Sequence, residues 1–202
     1  MDYCKVCFKE LNSLSINRIF NKMSICQNCY NELNVIFQKQ MIDEIEVISI
    51  YEYNDQMKNL LYQFKGCFDI ELKSIFLERH LLELRSKYIN YLIVPIPSSF
   101  ESDKKRGFNH IEEIFSILKL PTYKLIEKKY DFKQSSFSKK ERIKVKDKFF
   151  INNGEIIKNK KVLIVDDILT TGSSMSACIE LIKKYNPNCI KGLVISEICR
   201  NM

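Results

Sequence analysis

At 202 residues, with 46% apolar residues and only 5 Gly and 4 Pro, the chain suits one medium domain, or one domain with a small appendage, and is too apolar for a disordered segment. No apolar run reaches the ~20 residues of a bilayer-spanning helix, and MDYCKVCFKE lacks the apolar core of a signal peptide, so a cytoplasmic location is expected. The net charge of +7 is concentrated: residues 101–161 hold 17 Lys/Arg against 9 Asp/Glu, which either steers a nucleic acid or polyphosphate or is a solvated lysine-rich surface.

The first element is a cysteine pattern. Cys4 and Cys7 form one CxxC, and Cys26 and Cys29 form another. Two such knuckles match a structural Cys4 zinc site; a redox CxxC is the competing reading, though that chemistry needs only one pair. Residues 1 to about 30 therefore read as a small knuckle whose folding energy comes from Zn2+. Cys67, Cys178, Cys189 and Cys199 have no partners at ligand spacing and read as small buried apolar residues.

From 31 to 42, Leu33, Ile36, Phe37 and Met41 recur at helical spacing, which predicts a helix joining the knuckle to the main domain. Residues 46–53 alternate as a strand does. Residues 55–65 and 69–88 read as a short and a longer helix, with His80 on the latter at a surface or core-edge position. The run 91–96 reads as a buried strand ended by Pro95 and Pro97. A helix over 108–118 and a strand over 121–126 follow, then a polar, basic stretch over 134–147. Strand 160–165, helix 173–185 and strand 190–198 close the chain. Alternating strands and helices imply an α/β domain with a mostly parallel sheet. The division expected is 1–42 for the knuckle and its helix, and 43–202 for the α/β domain.

Val162 to Met175, VLIVDDILTTGSSM, carries the most chemical information. An apolar strand runs into Asp166 and Asp167, then Thr170, Thr171, Gly172, Ser173 and Ser174 open a helix. Such a loop offers N–H groups and hydroxyls to an anion at a helix N-terminus. Two adjacent acids at the end of a parallel strand suit a pair of vicinal hydroxyls. Good helix capping alone explains one Ser or Thr, but not this order of residues. No GK[ST] and no GxGxxG is present. The run resembles the signature with which type I phosphoribosyltransferases bind phosphoribosyl pyrophosphate (PRPP).

Val94 to Pro97 (VPIP), Arg106 to His110 (RGFNH) and Lys133 to Phe149 precede that run in order. With the four-cysteine knuckle, the whole chain resembles the ComF family of competence proteins, ComFC type. That resemblance implies a zinc knuckle on a type I phosphoribosyltransferase-like domain, its mostly parallel sheet flanked by helices. It also implies a role in natural transformation, handling imported single-stranded DNA. Asp166 and Asp167 would contact ribose, and Thr170 to Ser174 the 5′-phosphate. Arg106 and Asn109 fall in the family's RGFNQ segment; Lys139, Lys140 and Arg142 fall in a segment like the loop that closes over substrate. His110 stands where that family has Gln, Phe137 where Leu is common, and Ser173–Ser174 where Ala-Thr is frequent. An active-site imidazole and a capped surface histidine are both open for His110, the second being the expectation.

If the site does chemistry, Mg2+ with Arg106, Lys139 or Arg142 would stabilise a departing pyrophosphate, with Asp166 and Asp167 holding the ribose. Phe108, Phe132, Phe137, Phe149 and Phe150 are candidates to stack on bases, or are core. Three roles stand open: a DNA-uptake factor with a PRPP-type site, an active phosphoribosyltransferase in nucleotide salvage, and a non-catalytic scaffold that docks a DNA-uptake helicase or recombination mediator.

Overall fold

The computed structural model describes residues 3–11, 23–128 and 149–198. In chain order the elements are α1 (Gln27–Asn31), β1 (Val35–Ile42), β2 (Ile45–Glu52), α2 (Asp55–Gly66), α3 (Leu81–Tyr88), β3 (Tyr91–Pro95), α4 (Phe100–Arg106), α5 (His110–Phe115), β4 (Ile126–Lys128), β5 (Phe149–Ile151), β6 (Lys161–Leu169), α6 (Ser173–Lys183) and β7 (Cys189–Glu197). Short 3-10 turns at Ile70–Ser74 and Glu78–His80 lead into α3. The main sheet has the order β1-β2-β7-β6-β3, and only β1 is antiparallel to its neighbour.

The apolar runs of β3 and β6 are buried because helices cover both faces of the sheet. Alternation along β6 sends Leu163 and Val165 to one face, against Leu61 and Phe64 of α2 and Ile114 of α5. Val162 and Ile164 face the other way, with Met175, Ile179 and Ile182 of α6. α2 starts where the Asn54 side chain accepts from Met57 N at 2.9 Å, a cap for an otherwise unpaired donor. The knuckle joins the first face: Cys4, Ile25, Cys29 and Leu33 share a buried cluster with Ile48 and Leu77.

The structure departs from the sequence reading at several elements. Residues 35–42 form strand β1, not a helix. Asp43 and Glu44, both at positive φ (46° and 67°), make a tight turn that lays β1 against β2. The pairing with β2 overrides a helical spacing that Val35, Ile36 and Phe37 support only weakly. Residues 69–88 are two 3-10 turns and a short helix: the four consecutive residues Ile75 to Glu78 are all buried, and one helical face cannot bury such a run. The strand expected over 121–126 reduces to a bridge between Thr122 and Ile93, followed by β4 at 126–128. α4 and the β4–β5 hairpin had no counterpart in the sequence reading. Cys178 is buried as expected, whereas Cys67 is exposed and Cys189 half-buried; Cys199 lies outside the described residues.

Candidate functional site

The site forms where β3 leaves the sheet and β6 continues. The last bond between them is Ile96 N to Val165 O at 2.9 Å, and Pro97 then turns the chain away. β6 runs on to Leu169 beside β7, so Asp166 and Asp167 lie within the strand and not past its end. The Asp167 N–H, left without a β3 partner, donates to Asp166 Oδ1 at 2.9 Å. The two carboxyl groups enter a cleft of about 320 Å³, whose lining includes Lys65, Ser98, Arg106, His110 and Ser174. Ligands of parallel sheets bind at this strand end.

Asp167 is buried and closely paired. Its Oδ2 accepts from Lys65 Nζ at 2.6 Å and lies 3.1 Å from His110 Nε2. His110 Nδ1 lies 2.9 Å from Arg106 Nη1. A guanidinium only donates, so Nδ1 accepts, and Nε2 carries the proton given to Asp167. His110 is thus a buried member of the site, 6% exposed, and not the surface histidine expected. Arg106 also donates to Asp103 Oδ1 at 3.0 Å and, through Nε, to the Lys65 carbonyl at 2.9 Å. Asn109 Oδ1 caps α5 by accepting from Ile111 N and Glu112 N, while its Nδ2 donates to Ser98 Oγ and Asp103 Oδ2. The RGFNH segment therefore builds the wall that holds Asp167.

The two acids are driven apart electrostatically. Burial raises the Asp166 carboxyl well above its ordinary value, and the charge of Asp167 adds to this. Burial pushes Asp167 the same way, but the His110 hydrogen bond and the Lys65 ammonium outweigh it and hold Asp167 below the usual carboxylate range. Asp166 is left as a poorly solvated acceptor, which hydroxyls or a hard cation such as Mg2+ would relieve.

Past β6, Thr170, Thr171 and Ser173 are exposed at the N-terminus of α6. Gly172 takes φ 76°, a left-handed conformation that opens the helix. The Thr171 and Ser173 hydroxyls lie 2.8 Å apart. Lys139, Lys140 and Arg142 lie outside the described residues, as do Phe132 and Phe137. Phe149 is buried, though it also lines the cleft, and half-buried Phe108 packs against the core on Phe64 at a ring separation of 5.4 Å. The sequence reading missed Lys65, Ser98 and Asp103. Lys65 ends a helix far from the DD pair in sequence, and no spacing links the two.

The second cluster is the knuckle. The Sγ atoms of Cys4, Cys7, Cys26 and Cys29 lie within 4.8 Å of one another, with Cys7 to Cys26 at 3.7 Å. A tetrahedron of ~2.3 Å Zn–S bonds has edges of about 3.8 Å, so the four thiols fit zinc. The Cys26 N–H donates to Cys4 Sγ at 3.3 Å. Although burial works against it, this and other backbone donors hold the Cys4 thiol down at about 7, toward the thiolate a metal requires. The knuckle is fastened to the main domain: Ser24 N donates to the buried Glu78 at 2.8 Å, and the Tyr30 hydroxyl meets half-buried His80 at 3.1 Å. Among the described residues, no helix is long and apolar enough to cross a membrane.

Residues 104–197 match the phosphoribosyl transferase domain family. Competence protein ComFC of Streptococcus pneumoniae is 32% identical over 71% of this chain and 64% of its own length. The chain is similar to the ComFC competence proteins. Its domain is a type I phosphoribosyltransferase-like fold with an N-terminal cysteine cluster. ComFC of Bacillus subtilis is 30% identical over 63% of this chain and 53% of its own length, so the chain spans about half to two thirds of these ComFC relatives. A solved adenine phosphoribosyltransferase from Saccharomyces cerevisiae is similar at 18% identity, over 86% of this chain and 90% of that one, with a TM-score of 0.43.

Proposed function

We propose that the cleft at the end of β6 binds PRPP or a closely related 5-phosphorylated ribose, in a protein that acts in natural transformation on imported single-stranded DNA. The observation that carries the ligand reading is the pairing of Asp166 and Asp167 with the Thr170–Ser174 loop, one directly after the other on β6 and α6. The acids would take the ribose hydroxyls, with Mg2+ accompanying the pyrophosphate. The loop would take the 5′-phosphate on its N–H groups and hydroxyls. The competence role rests on the similarity to ComFC proteins, and the single-strand reading also on the basic stretch over 101–161.

The deciding experiment is calorimetric titration of the zinc-loaded protein with PRPP and Mg2+, beside the Asp166→Ala/Asp167→Ala double variant. Binding that disappears in the double variant supports the site. No binding to the intact protein overturns it and leaves an interaction module. A second reading, an active transferase, is favoured by the cations Lys65, Arg106 and Lys128 around the same cleft, which could stabilise departing pyrophosphate. It requires that the C1′–O bond break while a bond from C1′ to a base nitrogen forms and the base loses a proton. Base-dependent release of pyrophosphate tests it.

A further inference from the structure

Four residues at the cleft form a closed ring of contacts, completed through the Lys65 main chain. Arg106 donates to the main-chain carbonyl of Lys65 and to His110; Lys65 and His110 both donate to Asp167 Oδ2. The members are not held equally. His110 is fixed at both ring nitrogens and is 6% exposed. Arg106 is fixed by Asp103, His110 and Lys65, and its side chain is 7% exposed. Lys65 is different. Its main chain is pinned, but its ammonium has Asp167 as its one ion-pair partner among the described residues, and its side chain is 31% exposed.

Oδ2 of Asp167 already accepts from two donors, so a ribose hydroxyl that takes Oδ2 displaces one of them. The locked, buried imidazole is costly to move, because Arg106 would lose its acceptor. The lysine stem turns about rotatable bonds while its backbone stays in place. Its ammonium would then stand in a cleft already carrying Arg106 and Lys128. A sugar without charge at C1 offers that cation nothing in exchange for the lost ion pair. A sugar with an anionic group at C1 does.

We propose that Lys65 is a specificity-determining residue: it yields Asp167 to the ribose hydroxyls and pairs instead with an anionic C1 substituent, so that the site selects PRPP over ribose 5-phosphate. The inference rests on the phosphoribosyl reading above. It adds a residue from α2, outside the residues 104–197 that match the phosphoribosyl transferase family.

The test is titration of the full chain with PRPP and with ribose 5-phosphate, both with Mg2+, for the natural protein, Lys65→Met, Lys65→Gln and Lys65→Arg. In Lys65→Met, PRPP should weaken by about tenfold or more, the scale of a charge-assisted hydrogen bond. Ribose 5-phosphate should bind as well as before or more tightly, since its competitor at Asp167 is gone. Lys65→Gln, which keeps a donor without the charge, should show the same split, and Lys65→Arg should retain the preference. An equal loss for both ligands, or no change in either, overturns the proposal. If the natural protein binds neither sugar, the phosphoribosyl reading itself has failed, and the proposal with it.

Discussion

His110 donates to Asp167 across 3.1 Å while its other ring nitrogen accepts from Arg106 at 2.9 Å, so one imidazole couples the RGFNH segment to the acid pair. A glutamine can do both jobs, with Nε2 donating to Asp167 and Oε1 accepting from Arg106. His110→Gln is therefore expected to keep PRPP affinity within a few-fold and to leave stability nearly unchanged. His110→Ala leaves a buried guanidinium N–H without its acceptor, and is expected to cost ~1–3 kcal/mol in denaturant unfolding. Its PRPP affinity should fall as Asp167 loses its orientation. If Gln and Ala behave alike, the imidazole's two bonds are not what holds the site.

Asp166 gives the site a pH signature of defined sign. In the unfolded chain it ionises near ~3.9. In the fold, burial and then the charge of Asp167 raise that value. Between the two values the native state holds a proton that the unfolded chain has lost, so Asp166 lowers stability as pH rises through the window. Asp167, held low, acts in the opposite sense: its contribution is present above its unfolded value and lost as pH falls. Asp166→Asn keeps the Oδ1 acceptor for the Asp167 N–H but cannot ionise. It should melt higher than the natural protein near neutral pH, by an amount of order 1 kcal/mol. The gain should vanish as pH approaches ~4, while PRPP binding falls at neutral pH. Melting curves across that range check it; a gain that does not depend on pH counts against the buried-acid account.

The acid pair at the cleft and the two CxxC pairs are legible in the sequence because each is local: neighbouring residues in sequence stay neighbours in the fold. The buried strands of β3 and β6 were legible as apolar runs for the same reason. Lys65, Ser98 and Asp103 were not, because their roles arise only when α2 and α4 are folded against β6. The strand at 35–42 was misread because Leu33, Ile36, Phe37 and Met41 fit a helix, and only the turn at Asp43–Glu44 and the partner β2 decide otherwise. The burial of His110 is not legible in the sequence, because a histidine after Asn109 fits a capped helix start and its burial depends on Asp167, 57 residues further on.

The 1–42 boundary expected from the sequence would split β1 (Val35–Ile42) from its partner β2, so zinc removal tests a division between the knuckle before β1 and the sheet. The knuckle leans on the turn region through Ser24–Glu78 and Tyr30–His80, and contributes Ile25 and Leu33 to a cluster that includes Leu77. Chelation should release the knuckle and reduce hydrogen-exchange protection around residues 70–80, while β3, β6 and β7 keep theirs. Cys4→Ser with Cys7→Ser should do the same. Loss of protection throughout the sheet would show instead that the knuckle and sheet unfold as one unit, and that the proposed division is wrong.

Gly172 is where the phosphate loop and the sheet edge meet. Its φ of 76° is unfavourable for any residue with a Cβ, and a Cβ built there would lie 3.1 Å from Ile42 Cδ1 at the end of β1. Gly172→Ala is expected to destabilise by ~1–2 kcal/mol from the left-handed backbone. If the loop relaxes toward right-handed geometry instead, stability is recovered at the expense of the N–H directions that the 5′-phosphate needs. The two outcomes separate on paired measurements of unfolding and of ribose 5-phosphate affinity. A fall in stability with affinity retained means that the loop keeps its shape under strain. A fall in affinity with stability retained means that the left-handed turn is what aims the donors. Gly172→Ala with Ile42→Val isolates the steric part: it should recover only what the contact with Ile42 costs and leave the backbone penalty in place.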